Sequence, residues 1–264
     1  SPSVAATGDG YVAAWLDSRR GAGFYDVYLR RVDDAARAVG NEVLASGSAS
    51  ANAFLNSAPP IAFSGESVGV VWFDGLTSTM TLSLFDRVLE RVGADIVLST
   101  NPFWNAALAW TGEVFLAAWV DNRDGNREIY VAAVAPDGTV LQPGARISAA
   151  PGRSETPSIS GDGRGRAVAW MDQRHGNQEV YAAALDALGR RLGPERRITS
   201  LAGTQNRPQL ACNGTRNLLV WQAAGEYPEE RDDSFWGRVR SRGELTTPEI
   251  VFALQRAAED ERIS

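Results

Sequence analysis

The residues best equipped for chemistry lie in WVDNRDGNREIYVAA, positions 119 to 133, where Asp121, Arg123, Asp124, Asn126, Arg127, Glu128 and Tyr130 crowd around Gly125. Carboxylates set among guanidinium groups suit the clamping of an anion or the movement of a proton, and with an Asn amide they suit the holding of a calcium ion. The same groups also suit a task without turnover, the bracing of a tight corner. The cluster is not unique: WLDSRRGAGFYDVYLRR stands at 15–31 and WMDQRHGNQEVYAAA at 170–184. A catalytic group is normally single in its chain, whereas a structural device recurs, so repetition favours the brace.

Asp17, Asp121 and Asp172 stand two positions after Trp15, Trp119 and Trp170, and Arg19, Arg123 and Arg174 stand two positions after the Asp. Alternate residues of an extended segment point the same way, so Trp, Asp and Arg share a face. The expected device is an Asp that accepts loop N–H groups and pairs with the Arg, whose planar fork bridges to the next turn. An anion clamp of the sialidase type is disfavoured because the SxDxGxxW box is absent and the Arg recur at equivalent turns. Calcium is disfavoured because Arg123 takes the third place of DNRDGNRE. His175 and Cys212 are each alone of their kind, which argues against a zinc site of the usual ligands and against a disulfide. Cys212 is expected to be a small buried apolar residue. A Ser or Cys nucleophile would need His175 as its base, yet His175 holds a turn position occupied by Arg20 and Asp124 in the sister units. No catalytic residue, metal or cofactor is expected.

The elements that must position these groups follow from the same repetition. Trp15, Trp72, Trp119, Trp170 and Trp221 are spaced by 57, 47, 51 and 51 residues, defining five units of approximately 1–50, 51–100, 101–150, 151–202 and 203–255 with a polar tail at 256–264. Each unit reads as a short segment, a Gly turn and an apolar strand ending in Trp, such as YVAAW, VGVVW, VFLAAW, RAVAW or LLVW. A third strand follows (DVYLRRV, TLSLFDRV, EIYVAAV, EVYAAAL, SFWGRV), then a short fourth (NEVLAS, ADIVLS, ARISAA, ERRITS, PEIVFA). Four short strands repeated about every 50 residues predict an all-β fold, a single closed five-bladed β-propeller of four-stranded antiparallel blades. The Trp at the strand end is expected to fill the space between neighbouring blades.

The pattern WxDxRxGNxEIY, with Pro before it and a Gly-turn strand after it, resembles bacterial and archaeal secreted or surface β-propeller repeats. The resemblance covers units one, three and four well and units two and five in part. It implies an extracytoplasmic binding or display role, whether secreted, periplasmic or at the cell surface, and names no ligand.

Function in a pseudosymmetric ring is expected where the repeats break. Unit five replaces its turn with WQAAGEYPEERDDSFWGR, which places Glu226, Glu229, Glu230, Asp232 and Asp233 between Tyr227 and Trp236. Phe54, Phe103 and Trp104, on the long connections 46–60 and 99–110, are candidate platforms for a sugar ring or a partner protein. The basic stretch GRRLGPERRITS, 189–200, reads as edge protection on an outer strand. With 26 basic residues, all Arg, against 32 acidic ones, the net charge of −6 disfavours nucleic acid. No apolar run is long enough for a transmembrane helix. The leading expectation is a non-catalytic module that contacts a protein or a glycan. The alternative is a five-bladed glycoside hydrolase, disfavoured because the first strands, read as SVAAT, PIAFS, ALAWT, SISGD and QLACN, carry no acid except Asp162.

Overall fold

A computed structural model describes residues 1–19, 21, 25–47, 58–161, 165–200, 203–213, 216–224 and 249–256. These form an all-β molecule of five sheets in chain order. The first holds β1 (Pro2–Ala6), β2 (Tyr11–Asp17), β3 (Asp26–Val32) and β4 (Ala38–Leu44), and the second β5 (Ile61–Phe63), β6 (Ser67–Asp74), β7 (Thr79–Asp86) and β8 (Ile96–Ser99). The third holds β9 (Pro102–Trp110), β10 (Phe115–Asp121), β11 (Glu128–Val134) and β12 (Val140–Arg146), and the fourth β13 (Ser154–Ser160), β14 (Ala167–Asp172), β15 (Glu179–Ala184) and β16 (Arg196–Arg197). All four are antiparallel meanders with neighbours in sequence order.

The fifth sheet departs from the expected plan. It has three described strands, β17 (Thr204–Cys212), β18 (Arg216–Ala224) and β19 (Glu249–Arg256), and β19 runs parallel to β18 in the place expected for an antiparallel third strand. The expected third strand SFWGRV and the end of the chain, 257–264, lie outside the described residues. Cys212 ends β17 and is half-buried, not fully enclosed as expected.

Two kinds of turn make the meanders possible. Gly125 and Gly176, in the turns after Asp121 and Asp172, have φ of 80° and 89°, a region costly for other residues. At the turns into the fourth strands, Asp33, Asp86 and Asp186 each accept two backbone N–H groups, from residues two and four positions on.

The core lies between sheets. Alternation divides each sheet into a face towards the preceding sheet, which carries the Trp, and a face towards the following one. Val12, Ala14, Val27 and Leu29 of the first sheet pack with Val68, Val70, Trp72 and Phe85 of the second. Val71, Leu82 and Leu84 meet Phe115, Ala117, Trp119 and Tyr130 of the third. Leu116, Ala118, Ile129 and Val131 meet Val168, Trp170 and Tyr181 of the fourth, and Ala169, Val180 and Ala182 meet Leu219 and Trp221 of the fifth. Trp119 and Trp170 are fully buried. Burying one indole removes on the order of 200 Å² from water, about 5 kcal/mol of gross transfer free energy. Among the described residues no cluster joins the fifth sheet to the first.

Candidate functional site

Strand alternation assigns the loops to two edges of the molecule. The starts of the first strands, the turns between second and third strands and the links between sheets all fall on one edge, called here the turn edge. Phe103 and Trp104, which open β9, lie on this edge. Phe54, Tyr227, Glu229, Glu230, Asp232, Asp233 and Trp236 lie outside the described residues, as do Arg20, Asp162 and Glu226.

The recurrent motif forms three near-identical hydrogen-bonded corners. The indole Nε1 of Trp15, Trp119 and Trp170 donates to Oδ2 of Asp17, Asp121 and Asp172 at 3.3, 2.8 and 3.1 Å. The other carboxylate oxygen accepts the backbone N–H of Arg19, Arg123 or Arg174 at 2.8, 2.8 and 3.0 Å, and the guanidinium closes on Oδ2 at 2.6, 2.6 and 2.7 Å. Each guanidinium then lies over the next strand's Tyr28, Tyr130 or Tyr181, 4.3, 4.4 and 4.2 Å from the ring centre. The fork reaches onward to Glu42 in the first unit and Glu195 in the fourth, at 2.6 and 2.7 Å. In the third unit Gly144 stands at that place, packed against Trp119. The three Arg are thus each turned into their own corner and do not converge.

A second layer ties sheet to sheet. Glu128 is fully buried and accepts from Arg146 Nη2 at 2.9 Å, the Ser148 hydroxyl and the Ala150 N–H at 3.1 Å. The Ser154 hydroxyl lies 3.5 Å from Glu128 and 3.2 Å from Asp172, so one small side chain bridges a carboxylate of the third sheet to one of the fourth. Ser99 of the second sheet likewise donates to Asp121 of the third at 2.6 Å. Glu179 repeats the role of Glu128 with Arg197, Thr199 and Asn177.

These contacts set the charge states. The Arg19 hydrogen bond holds the Asp17 carboxyl below the usual range. Burial pushes Asp121 and Asp172 upward, but hydrogen bonds from Arg123, Ser99 and Trp119, and from Arg174 and Trp170, outweigh it and leave both below the ordinary value. Burial first, then donation to Asp124, raises the Tyr130 hydroxyl to about 12. In the fourth unit His175 Nε2 meets the Tyr181 hydroxyl at 2.7 Å, so His175 and Asp124 hold equivalent places against a Tyr.

Units two and five lack this corner. Trp72 donates instead to Ser83 at 2.9 Å, while Asp74 caps the Leu76 N–H at 2.8 Å. The fifth unit has Ala223 where the Asp would stand.

Symmetry breaks most clearly at the start of β9. A two-residue bulge at Trp104 and Asn105 interrupts its pairing with β10. Phe103 and Trp104 stack with ring centres 4.4 Å apart and planes 15° apart. The Arg127 guanidinium lies 3.5 Å from the Phe103 ring centre and is ion-paired to Glu155. Trp104, Phe103, Arg127 and Glu155 thus form one column, in which Trp104 is 42% exposed. Phe103 is half-buried inside it. Beside Trp104 lies an apolar cleft lined by Leu16, Pro59, Trp72, Phe73 and Ala106, enclosing about 30 Å³, the room of one water molecule.

The sequence pattern puts the first strand of the fourth unit at SISGD and does not single out Glu155; β13 begins at Ser154, so that first strand carries Glu155 as an acid. Its bulge between Glu155 and Ser158, with Thr156 at φ 50°, hid the alternation. Equivalent positions show the substitution pattern: Gln178 and Asn206, joined at 3.2 Å, stand in the next seam where Arg127 and Glu155 stand here. Among the described residues no three His, Cys, Asp or Glu side chains gather as a metal site.

No family model and no curated protein matches the chain. Solved structures do. A D477G ACO/RPE65 chimera is similar at 13% identity and a TM-score of 0.52, over 83% of this chain and 55% of that one. TolB from Acinetobacter baumannii is similar at 16% identity and a TM-score of 0.46, over 84% of this chain and 51% of its own. The α-L-arabinofuranosidase from Lactobacillus brevis is similar at 13% identity and a TM-score of 0.44, over 88% of this chain and 85% of that one. The chain spans about half the length of the first two. These neighbours are β-propeller-type proteins, and the likeness concerns the fold alone.

Proposed function

We propose that the protein is a non-catalytic binding module of propeller type, its five sheets serving as consecutive blades, and that it meets a protein or glycan through the turn edge. The observation that carries this reading is the column Trp104, Phe103, Arg127 and Glu155. It holds Trp104, a large and partly exposed aromatic residue, on a backing fixed by stacking, cation–π contact and an ion pair, so little side-chain freedom is lost on contact. The adjoining cleft is far smaller than the 300–1,000 Å³ or so of a small-molecule site, which favours a flat contact over an enclosed substrate. The recurrent Asp and Arg serve as corner braces in this reading. An extracytoplasmic setting accords with the sequence resemblance.

The glycoside hydrolase alternative requires two carboxylates about 5–10 Å apart, one free to act as an acid. Glu155 is the described first-strand acid that bears on it, and it is ion-paired with Arg127.

Titration with a panel of oligosaccharides and aromatic- or proline-rich peptides, followed by tryptophan fluorescence, tests the proposal. Trp104→Ala is expected to weaken whichever ligand binds by at least about tenfold, close to 1.4 kcal/mol, with an unchanged melting curve. Unaltered binding would overturn the platform. Glycoside turnover that disappears in Glu155→Gln would establish the alternative.

A further inference from the structure

The first strands β9, β13 and β17 lie side by side, and each leaves its ladder at the same register. Phe103, Glu155 and Asn206 pair with Val120, Met171 and Gln222, in each sheet the residue after the unit's Trp. The next two residues drop out of the pairing: Trp104 and Asn105, Thr156 and Pro157, Arg207 and Pro208. Thr156 and Arg207 are held at φ of 50° and 48°, a left-handed region that residues with a Cβ, and β-branched ones above all, rarely adopt. Such strain persists only where the surroundings enforce it, and it gathers at ligand sites. Three bulges in register, two of them strained, are a built feature of the turn edge.

The bulges are joined across the seams. The Ser154 N–H donates to the Arg127 carbonyl at 2.9 Å and the Gln205 N–H to the Gln178 carbonyl at 2.9 Å, so both seams carry the same link. Side chains repeat it in two chemistries: the Arg127 guanidinium pairs with Glu155, and Asn206 Nδ2 donates to Gln178 Oε1 at 3.2 Å. Phe103 lies against that guanidinium, and Trp104 stacks on Phe103. A ledge therefore crosses three sheets along the turn edge. The partly exposed Trp104 stands at one end and the exposed Arg207 at the other, with planar hydrogen-bonding groups between them. Of these, Arg127 and Glu155 keep side chains 25% and 17% exposed.

The chemistry of the ledge selects among ligands. Each planar pair spends one contact on its partner and retains further N–H donors or oxygen lone pairs. Sugar hydroxyls come in adjacent pairs and both donate and accept, which suits such groups, while the C–H face of a sugar ring suits an indole. An extended peptide would instead add a strand to the open edge of a first strand, and the bulges remove the register that strand addition needs. We infer that the ligand of the turn edge is an oligosaccharide chain long enough to run from Trp104 past Thr156 to Arg207, touching three sheets. This rests on the binding-module reading and adds to it the class and length of the ligand.

Cello-, xylo-, chito- and galacturono-oligosaccharides, each from monosaccharide to hexasaccharide, are titrated calorimetrically against the full chain. One series is expected to bind, its longer members at least about tenfold more tightly than its shortest, because each added sugar reaches a further sheet. Arg207→Ala is expected to keep the parent's melting curve and its affinity for the shortest binding members, and to weaken the longest by about fivefold or more. Should that variant melt early, Gln178→Ala reads the same length dependence. Trp104→Ala is expected to weaken every length. Affinity that does not grow with length, or that both ledge variants leave intact at every length, overturns the inference and leaves a compact site at Trp104. Peptide binding with none of the four series bound overturns it too, while the binding-module reading stands. Binding of neither class overturns both.

Discussion

Trp15 and Trp170 stand in the same motif, make the same indole-to-Asp hydrogen bond and stack on the same following Tyr, yet they live in different surroundings. Trp170 is fully buried because the third sheet covers it, whereas Trp15 is half-buried because nothing described covers the first sheet. The ion pairs follow suit. Arg174 and Asp172 have side chains 16% and 0% exposed, against 45% and 21% for Arg19 and Asp17. Identical residues thus differ in energetic worth because the neighbouring sheet, not the motif, supplies the desolvation. The corner geometry is local and survives exposure. Its strength is a property of the seam.

The comparison can be broken by substitution. Trp170→Ala is expected to have the largest effect, destabilising by about 3–5 kcal/mol in urea unfolding, because it empties a fully buried site. Asp172→Ala comes next, at about 3 kcal/mol, since it strips the acceptor from the buried Trp170 indole and leaves Arg174 with Glu195 alone. Asp17→Ala removes a pair that water already screens and should cost about 1 kcal/mol or less. A reversed order of the two Asp variants would show that the corners draw their strength from somewhere other than burial.

Acid titration sharpens the same contrast. The folded-state values of Asp17, Asp121 and Asp172 lie below the unfolded value near 3.9, so the stability they contribute is present above that pH and lost as pH falls through the folded values. Asp172→Asn and Asp17→Asn should each flatten the acid limb of the stability curve, read from unfolding midpoints between about pH 2 and 6. The smallest expected effect is spectroscopic. Tyr130 ionises at about 12 when folded and near 10 when unfolded, so its contribution is present below pH 10 and fades as pH rises through 12. Asp124→Ala should bring its phenolate absorbance to lower pH.

Much of the architecture was legible from the five Trp and their spacing, because in the second to fifth sheets the Trp faces the preceding sheet. The corner contacts were legible too, since Asp and Arg at alternate places after a strand have few other partners. The bulges were not. Trp104 with Asn105, and Thr156, each break alternation at the start of a first strand, and such breaks carry no period. Glu155 and the Arg127 column were hidden for that reason: Arg127 looks like one more charge in a turn until the bulge brings Phe103 beneath it. The parallel seating of β19 was equally unreadable, because PEIVFA alternates like any strand and alternation says nothing about direction.

Equilibrium unfolding of Trp170→Ala and Trp15→Ala, measured side by side in dilute solution, tests most directly the claim that the seam gives the motif its worth. The account predicts a loss for Trp170→Ala exceeding that for Trp15→Ala by about 2 kcal/mol or more. Equal losses would contradict it, because the corner itself, and not the sheet that covers it, would then carry the energy.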